Sequence, residues 1–424
     1  MKRSVFMQKL HPTICIRLFL QFISSISTMT VLPYIIIYFA GKLGSTITGV
    51  LFLCVMSSTV LGSICGGYLS DKIGRKRIII FAEFFIFFGY IGAALANYNW
   101  GMFPYLTFLF FICIQFSNGV VEPVYQALVI DVSKPDQRKT IYTYSYWLRN
   151  LGVAIGSMIG AFFFFTNLFL LLLGVAFTTI ISLLITIFYI EETYHPTLNI
   201  KESKDGSHLQ MWREYIKILK NKFFAVFLIA SLFIVSVEEQ LTNYIGVRLA
   251  TELPETIPLA SFFSFEVDGI NLLGILKAEN TILVICFTLM VMNIVKKWND
   301  RFILLMGLFL FFGGYIVISF TTTPFILIIA MFIASIGEIM YIPIQQTILA
   351  NIVPSHARST YMALYSIAII CGMSAAGIFL MISSWFPPII LTAFISLMGM
   401  ISFLLFYKLT FRRTVLSVNQ KNAD

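Results

Sequence analysis

One carboxyl, Glu338, stands alone in a run that otherwise contains no Asp, Glu, Lys or Arg from 302 to 357. It precedes Asn351 by about 13 residues, which at a helical rise of about 1.5 Å per residue corresponds to roughly 20 Å. An acid at such a depth in an apolar helix costs roughly 2.5–3.5 kcal/mol on membrane-insertion scales, so a functional role is the first explanation to consider. Because a carboxyl in apolar surroundings is neutralised by either a proton or a cation, we expect Glu338 to bind both in turn.

Four further ionisable residues also fall within apolar segments. Glu122 and Arg149 lie at similar distances from the polar turn 131–140, so antiparallel neighbouring helices would bring them to one depth. This spacing predicts a buried pair that serves either proton handling or packing alone. Glu238 and Glu239 are adjacent, and successive helical residues point about 100° apart. We therefore expect one of these two acids to face a cavity.

Other charged residues are expected near the ends of apolar segments. Glu83 and Arg17 are close enough to those ends for their side chains to reach the polar interface. Lys277 and Glu279 are expected at the outer mouth of their helix.

Cofactor and catalytic motifs are missing from the sequence. The histidines have no metal-ligand spacing, and the six cysteines lie inside apolar stretches, where free buried thiols are the ordinary case. The Gly-Lys-Ser/Thr string that cradles phosphates does not occur, so direct use of ATP is not expected. We therefore expect neither an enzyme nor a bound cofactor or metal.

The elements that position these charges are predicted from composition. Of 424 residues, 58% are apolar and 12% are charged, and the mean hydropathy is +0.89. A soluble domain carries about 25% charged residues, so this chain cannot cover a water-facing globule of its size. Such a composition also excludes a disordered chain and a secreted disulfide scaffold. Segments of about 20 apolar residues, each sufficient for one membrane helix, number roughly twelve. The chain is thus expected to be an all-α membrane protein.

Basic residues predict the orientation. Most of the 29 Lys and Arg residues fall at the N-terminus, in alternate loops and in the C-terminal tail, whereas Lys42 and Arg248 fall in the opposite loops. Because basic loops remain on the cytoplasmic side, both termini are expected there, in a multi-pass protein of the plasma membrane. Since the net charge of +9 is spread over short loops, it favours contact with membrane lipids, not with nucleic acid.

An internal repeat divides the chain into two halves. A shift of 220 residues aligns the fourth and fifth predicted helices with the tenth and eleventh. The aligned pairs are Pro123 with Pro343, Gln126 with Gln346, Asp131 with Asn351, Arg138 with Arg358, Thr140 with Thr360, and Gly152 with Gly372. Parallel repeats of this kind occur in transporters whose halves rock about a central site. The expected boundaries are six-helix bundles at 1–190 and 223–410, a cytoplasmic loop at 191–222 and a tail at 411–424.

The loop after the second predicted helix carries the most specific motif. It reads Gly67-Tyr-Leu-Ser-Asp71-Lys-Ile-Gly74-Arg75-Lys-Arg77. Gly74 permits a tight turn, and the basic residues can anchor to anionic lipid headgroups. A basic cytoplasmic loop alone would account for the Lys and Arg residues but not for the spacing of the glycines and the acid.

This loop resembles the characteristic loop of the major facilitator superfamily. The resemblance implies twelve transmembrane helices arranged as two six-helix bundles around a central cavity. It also implies that Asp71 contacts the other half at the start of the eleventh helix, near Ser359 and Thr360, and that Arg75 faces Asp131. An anion at a helix N-terminus is favourable. The expected conformational latch comprises Gly67, Asp71, Gly74, Arg75, Asp131 and Arg138.

Three glycines, Gly152, Gly156 and Gly160, recur every fourth residue in the fifth predicted helix. Small residues at this spacing form one face and allow close helix packing. Drug exporters of the superfamily carry a Gly-Pro pair in this helix, and Ser157 stands at the position of that proline. The stripe therefore has two open interpretations, which are simple packing and a role specific to antiport.

A closer resemblance is to the LmrP-like branch of multidrug/proton antiporters. The residues that carry it are Ile130-Asp131-Val-Ser, Arg138-Lys139, Tyr146-Trp147, Asn150-Leu151, Glu192-Thr193, Pro196-Thr197, Phe265-Glu266, Gly337-Glu338-Ile339, Tyr341 and Pro343. The resemblance implies that Glu338 handles protons and cationic substrate. The branch has an acid near Ser145 and lacks charges matching Glu122 and Arg149, so Glu122 is a candidate for a relocated acid.

The expected function is secondary active export of amphiphilic, cationic drugs in exchange for protons. The expected partners are a lipophilic small molecule, protons and membrane lipids, and the protein is expected to be a monomer. One alternative is an exporter of a single metabolite, peptide or metallophore. Another is a non-transporting receptor on the same fold, which the intramembrane acids disfavour because a receptor has no need for them.

Overall fold

The computed structural model is almost entirely helical. Its described residues are 10–43, 45–98, 101, 103–164, 166–194, 208–259, 266–383 and 385–421. Part of the predicted central loop, 195–207, lies outside the described residues. So do Pro196, Thr197 and Phe265, which contribute to the closer resemblance.

The chain divides into two compact units, the first comprising residues 1–216 with 350–367 and the second residues 217–349 with 368–424. The first unit contains six long helices: α1 (Pro12–Leu43), α2 (Ser45–Ile73), α3 (Arg75–Leu95), α4 (Pro104–Val132), α5 (Pro135–Phe163) and α6 (Leu168–Tyr189). Most of a short amphipathic helix, α7 (His208–Leu219), also belongs to it. Both α4 and α5 begin at a proline, whose missing N–H has no partner to lose in the first turn of a helix.

Most of the remaining elements belong to the second unit. They are α8 (Lys222–Glu238), a π-helical turn (Leu241–Ile245), α9 (Gly246–Glu252), β1 (Ile257–Pro258), β2 (Glu266–Val267), α10 (Gly269–Val295), α11 (Asp300–Phe320), α12 (Pro324–Ile352), a 3₁₀ turn (Ser355–Ala357), α13 (Arg358–Ile382) and α14 (Pro388–Lys421). The two strands pair antiparallel, with Ile257 opposite Val267. The end of α12, the 3₁₀ turn and the start of α13 lie in the first unit.

Ten helices in the described part of the chain are long and apolar enough to cross a membrane. The seventh of the twelve predicted spans is α8 continued through the π-helical turn into α9. Helices α5 and α13, which the repeat relates, are not among the ten. Helix α5 has 29 residues, ample for the thickness of a bilayer, but it carries Arg138, Lys139 and Arg149.

Backbone contact at glycines holds α5 against α1. A side-chain carbon built at Gly152 would lie 2.8 Å from the carbonyl oxygen of Phe22, and one at Gly156 would meet the carbonyl oxygen of Ile26 still more closely. One at Gly160 would collide with the ring of Tyr34. Because lipid tails are as apolar as the helices themselves, such close packing supplies much of the attraction between membrane helices.

The second unit uses the same device between α11 and α12. A side chain at Gly307 would lie 2.8 Å from the carbonyl oxygen of Gly337, and one at Gly337 would strike the backbone of α11 in return. Helix α8 is joined to α14 by a hydrogen bond of 2.8 Å from Ser402 Oγ to the carbonyl oxygen of Ala230. It is joined to α13 by one of 3.1 Å from Ser236 Oγ to the carbonyl oxygen of Gly372.

Substitution of Gly156 by alanine tests the α1–α5 contact. We expect Gly156→Ala to lower the free energy of unfolding by about 1–3 kcal/mol, because the added methyl group must displace backbone. Thermal unfolding of detergent-solubilised protein, followed by size-exclusion chromatography, measures the effect. Gly174→Ala is the matched control, since a methyl group there meets no atom within 4 Å. Equal melting temperatures for the two variants would contradict the packing.

Candidate functional site

Asp71 lies in the last turn of α2, against the start of α13. Its carboxylate accepts backbone N–H hydrogen bonds from Ser359, at 3.2 Å, and from Thr360, at 2.9 Å. The Thr360 hydroxyl donates a third, at 2.7 Å. These are the partners that the sequence analysis expects. A carboxylate in this position satisfies N–H groups that have no partner within the helix and complements the positive end of the helix dipole.

Arg75 lies between two acids. Its guanidinium forms an ion pair with Asp71, and its Nε lies 3.2 Å from Asp131 Oδ2, as the sequence analysis expects. The Arg75 side chain is fully buried, and it lies 4.4 Å above the ring of Tyr194. Asp131 also accepts a 3.0 Å hydrogen bond from Thr193 Oγ1. One buried cation thus joins the ends of α2 and α4 to the segment that follows α6.

Glu192 organises the turn between α2 and α3, a role that the sequence analysis did not predict. Its carboxylate accepts hydrogen bonds from the first two backbone N–H groups of α3, those of Arg75 at 2.8 Å and Lys76 at 3.1 Å. Gly74 precedes them with φ of 112°, a conformation suited to glycine, and it has no side chain with which to cap the helix. A side chain at Gly74 would also strike the Glu192 carboxylate. Because Gly74 has no side chain, the sequence indicated that a residue elsewhere in the chain must cap the N-terminus of α3.

The repeat-related residues exchange partners. Arg358 forms an ion pair with Asp131, while Arg138 donates to Asn351 Oδ1 and, at 2.8 Å, to the carbonyl oxygen of Ala350. The alignment by 220 residues matches Arg138 with Arg358 and Asp131 with Asn351. Arg138 therefore binds Asn351, which lies in the same repeat as Arg358, and Arg358 binds Asp131, which lies in the same repeat as Arg138. The alignment was visible in the sequence, but the exchange was not.

Gly67 permits a close approach beneath this network. A side chain there would lie 2.6 Å from Ala363 Cβ and 3.0 Å from the hydroxyl of Tyr215 in α7. The Tyr215 hydroxyl donates a 2.8 Å hydrogen bond to the carbonyl oxygen of Ile64. Burial raises the pKa of Tyr215, and the nearby charge of Asp71 raises that pKa further. The Tyr194 phenol likewise has a raised pKa, mainly through burial, so both hydroxyls remain donors at neutral pH.

Glu338 is buried in α12, with 7% of its surface exposed. Its Oε2 accepts a 2.7 Å hydrogen bond from Asn280 Nδ2 of α10, and that amide nitrogen lies 3.0 Å from Ser335 Oγ. The neighbouring Gly337 faces the backbone of α11. The carboxyl therefore has a polar partner, Asn280, which is itself bound to Ser335, inside an apolar helix packing.

Glu238 and Glu239 lie where α8 gives way to the π-helical turn. Both are half-buried, and their charges act, with that of Glu338, on the buried hydroxyl of Tyr315 in α11. Isolated π-helical turns inside α-helices frequently occur at functional sites. The structure thus brings three of the predicted acids into one region of the second unit. Near them, Glu279 Oε2 is buried without a hydrogen-bond partner among the described residues.

Comparison with known proteins identifies the family. The model of the Major Facilitator Superfamily matches residues 17–366 and 256–423. The chain belongs to this superfamily. Its structure resembles that of the superfamily transporter FucP in the outward conformation, with a TM-score of 0.69 at 14% identity over 94% of this chain and 98% of that one. The human organic anion transporter MFSD10 (TETRAN) gives a TM-score of 0.68 at 13% identity, over 93% and 98% of the two chains.

Two curated relatives share more sequence. A Na⁺, Li⁺, K⁺/H⁺ antiporter of Planococcus maritimus is 29% identical over 419 residues, or 95% of this chain and 97% of the relative. A homologue of the multi-drug resistance efflux pump PmrA from Lactococcus lactis subsp. lactis is 25% identical over 145 residues, or 33% of this chain and 35% of that one. This superfamily member is an integral membrane transporter, and the fold expected from the sequence is confirmed.

The predicted buried pair of Glu122 and Arg149 is wrong. Both side chains are exposed, no ion pair joins these two described residues, and Glu122 instead accepts a 2.9 Å hydrogen bond from Gln126 of its own helix. Helix α4 packs mainly on α2 and α3, whereas α5 packs on α1. Helices α4 and α5 follow one another in the sequence but are not main packing partners, so equal depth does not bring their side chains together.

The expectation that Glu83 and Arg17 reach the interface is also wrong. Only 2% of Glu83 and 6% of Arg17 is exposed, because both face the interior of the first unit. Glu83 accepts hydrogen bonds from Tyr125 and, at 2.7 Å, from Ser182 Oγ. Sequence distance from the end of a helix does not reveal which face a residue occupies.

No group of three or more His, Cys, Asp or Glu side chains among the described residues could hold a metal ion. All six cysteines are free thiols.

Removal of the Asp131 charge tests the ion-pair network. We expect Asp131→Asn to lower the free energy of unfolding by about 3–5 kcal/mol, because it removes the carboxylate partner of Arg358 and one of the two acids around the buried Arg75. Thermal unfolding measures the loss, and Asp136→Asn, at an exposed acid in the first turn of α5, is the control. Adding Arg358→Gln to Asp131→Asn should recover part of the loss. A single variant as stable as its control would show that the network contributes little.

Proposed function

We propose that this transporter exchanges cations for protons and that Glu338 binds the two in turn. The observation that carries the proposal is the burial of this carboxyl in α12, with Asn280 as its polar partner. A buried carboxylate is costly unless its charge is compensated, and a proton and a cation are alternative ways to compensate it. Binding of one ligand then favours release of the other.

A small monovalent metal cation is the first candidate substrate. The similarity to the Planococcus maritimus antiporter, over 97% of its length, supports this choice. The surroundings of Glu338 also support it, since the Asn280 amide nitrogen joins the carboxylate and the Ser335 hydroxyl oxygen, and oxygen is the ligand that hard cations prefer. Tyr341, three residues along α12 from Glu338, packs its ring against that of Phe311 in α11, with ring centroids 5.2 Å apart, and both side chains are buried.

An amphiphilic organic cation is the second candidate. The loop motif and Glu338 resemble those of multidrug/proton antiporters, and part of the chain is similar to the PmrA homologue. A lipophilic cation would require Phe311 or Tyr341 to move aside so that the ring faces the substrate. Export of one specific metabolite, peptide or metallophore remains an alternative of the same class.

We further propose the arrangement in the membrane. Both termini and the segment 191–222 face the cytoplasm, the bundles are 1–190 and 223–410, and the tail 411–424 is cytoplasmic. The protein acts as a monomer in the plasma membrane, in contact with anionic lipids. Protons enter from outside, neutralise Glu338 and release the cation there. The Asp71 network (Gly67, Asp71, Gly74, Arg75, Asp131 and Arg138) acts as the conformational latch.

Antiport in inverted membrane vesicles tests the role of Glu338. Vesicles with an acidic interior should lose their pH gradient when Na⁺, Li⁺ or K⁺ is added outside. Ethidium, added at the same molar concentration of positive charge, tests the organic cation in the same assay. We expect Glu338→Gln to reduce the exchange by roughly tenfold or more, because a charge-assisted contact contributes about 1.5–3 kcal/mol. Asp136→Asn, at an exposed acid in the first turn of α5, is the control. Unchanged exchange in Glu338→Gln would exclude this site.

Asp71→Asn tests the latch. The amide keeps the size of the side chain but removes the charge that the N-terminus of α13 and Arg75 attract, so we expect transport to fall by about tenfold or more. Membrane insertion, measured by the yield of monodisperse protein, should remain close to that of the unchanged protein. Asp136→Asn should transport normally. A correctly inserted Asp71→Asn protein with full activity would rule out the latch.

A further inference from the structure

A polar cavity lies among α1, α3, α4 and α6 in the first unit, away from every residue assigned so far. Its volume is about 60 Å³. The chemistry-bearing side chains in its wall are Arg17, Glu83, Asn118, Tyr125, Thr178 and Ser182. The wall of such a cavity in an apolar helix bundle would ordinarily be filled by leucine or phenylalanine.

Glu83 is the acid of this cavity. Both donors that reach it, Tyr125 from α4 and Ser182 from α6, bind the same oxygen, Oε1. The other oxygen, Oε2, is buried and has no hydrogen-bond partner among the described residues. One half of the carboxyl is therefore fully satisfied and the other half is available to a ligand or a proton.

Arg17 is the cationic residue of this cavity, and the Tyr125 side chain lies between it and Glu83. Its guanidinium carbon lies 3.4 Å from the centroid of the Tyr125 ring, whose hydroxyl group is bound to Glu83. The Nε atom of Arg17 is also buried without a partner in the described structure. Two side chains of opposite charge thus share a cavity, and each has one unused polar atom.

Water fits these unused atoms. A cavity holds a water molecule when its volume exceeds about 10–15 Å³ and when two to four polar groups are within reach, and this cavity meets both conditions. Water that bridges Arg17 Nε and Glu83 Oε2 would remove the cost of leaving both atoms unpaired. It would also provide the proton donor that a buried carboxylate needs in order to change its charge.

We propose that this cavity is a hydrated proton-binding site, separate from Glu338, in which Glu83 takes up and releases a proton. In uptake, a hydronium ion transfers its proton to Oε2, which leaves water and a neutral carboxylic acid, while Oε1 keeps its two donors. Release is the reverse. Glu83 follows Arg75 by eight residues, or about 12 Å of helix. In this proposal, Glu83 therefore takes up and releases its proton toward the end of α3 that carries the Asp71 network.

The groups that face Glu83 agree with such a role. From α1 the charged group is the guanidinium of Arg17, from α4 the titratable group is the neutral phenol of Tyr125, and Tyr90 of α3 itself lies in the wall. From α6 only hydroxyl and apolar side chains line the cavity. Arg17 keeps the deprotonated carboxyl compensated, and the water lets the protonated form persist without breaking the bonds to Oε1.

Infrared difference spectroscopy of the purified full-length transporter, on acidification, tests the inference. Protonation of Glu83 should produce a carboxylic-acid carbonyl band that Glu83→Gln removes. Because the amide oxygen of glutamine can accept from both Tyr125 and Ser182, this variant should fold. Glu122→Gln is the matched control and should leave the band in place. A band that persists in Glu83→Gln, or the lack of any band assignable to Glu83, would overturn the inference.

A second pair of variants keeps the test decisive if Glu83→Gln is poorly folded. Tyr125→Phe retains the ring beneath Arg17 but removes one donor to Oε1, and Ser182→Ala removes the other. Each should shift the frequency of the Glu83 band, because the carbonyl loses a hydrogen bond. Unshifted spectra in both would contradict the assignment.

This inference stands apart from the proposed exchange at Glu338. The Glu83 band should remain in Glu338→Gln, whatever happens to transport in that variant. Loss of transport in Glu338→Gln with a retained Glu83 band would support both proposals. Normal transport in Glu338→Gln with a retained band would refute only the exchange site, and a missing band in the unchanged protein would refute only the cavity.

Discussion

The buried guanidinium of Arg75 is the interaction on which the loop end of the first unit depends. An arginine stays charged at every pH that a cell experiences, so it cannot escape the cost of burial by losing its proton. It must instead be surrounded, and Asp71 and Asp131 do so from the ends of two helices while the Tyr194 ring lies beneath it. Once these acids are fixed, their remaining oxygen atoms are directed toward α13.

That fixed geometry explains why the surrounding residues are so constrained. Glu192 must cap α3 because Gly74, which the turn requires, has no side chain for the task. Gly67 must remain small because the start of α13 and the Tyr215 hydroxyl lie against it. The motif is therefore a set of mutually dependent contacts.

Several parts of this arrangement could be predicted from the sequence, and the reasons differ. The helices followed from apolar runs, and the partners of Asp71 followed from a motif with specific spacing. The Glu122–Arg149 pair failed because depth along a helix was taken as evidence of contact, although α4 and α5 pack on different partners. Glu83 was misjudged for a related reason, since the apolar residues on every side of it in α3 conceal which face is interior. Glu192 and Arg358 were missed because each completes a contact that begins far away in the chain.

The exchanged arginines leave the two halves of the repeat chemically unequal. Arg358 binds a carboxylate, Asp131, whereas Arg138 binds an amide, Asn351, and a backbone carbonyl. Dissolved salt weakens attraction between full charges but has much less effect on a hydrogen bond to a neutral group. The two related positions therefore hold one contact between full charges, which burial shields from much of the effect of salt, and one contact with neutral groups.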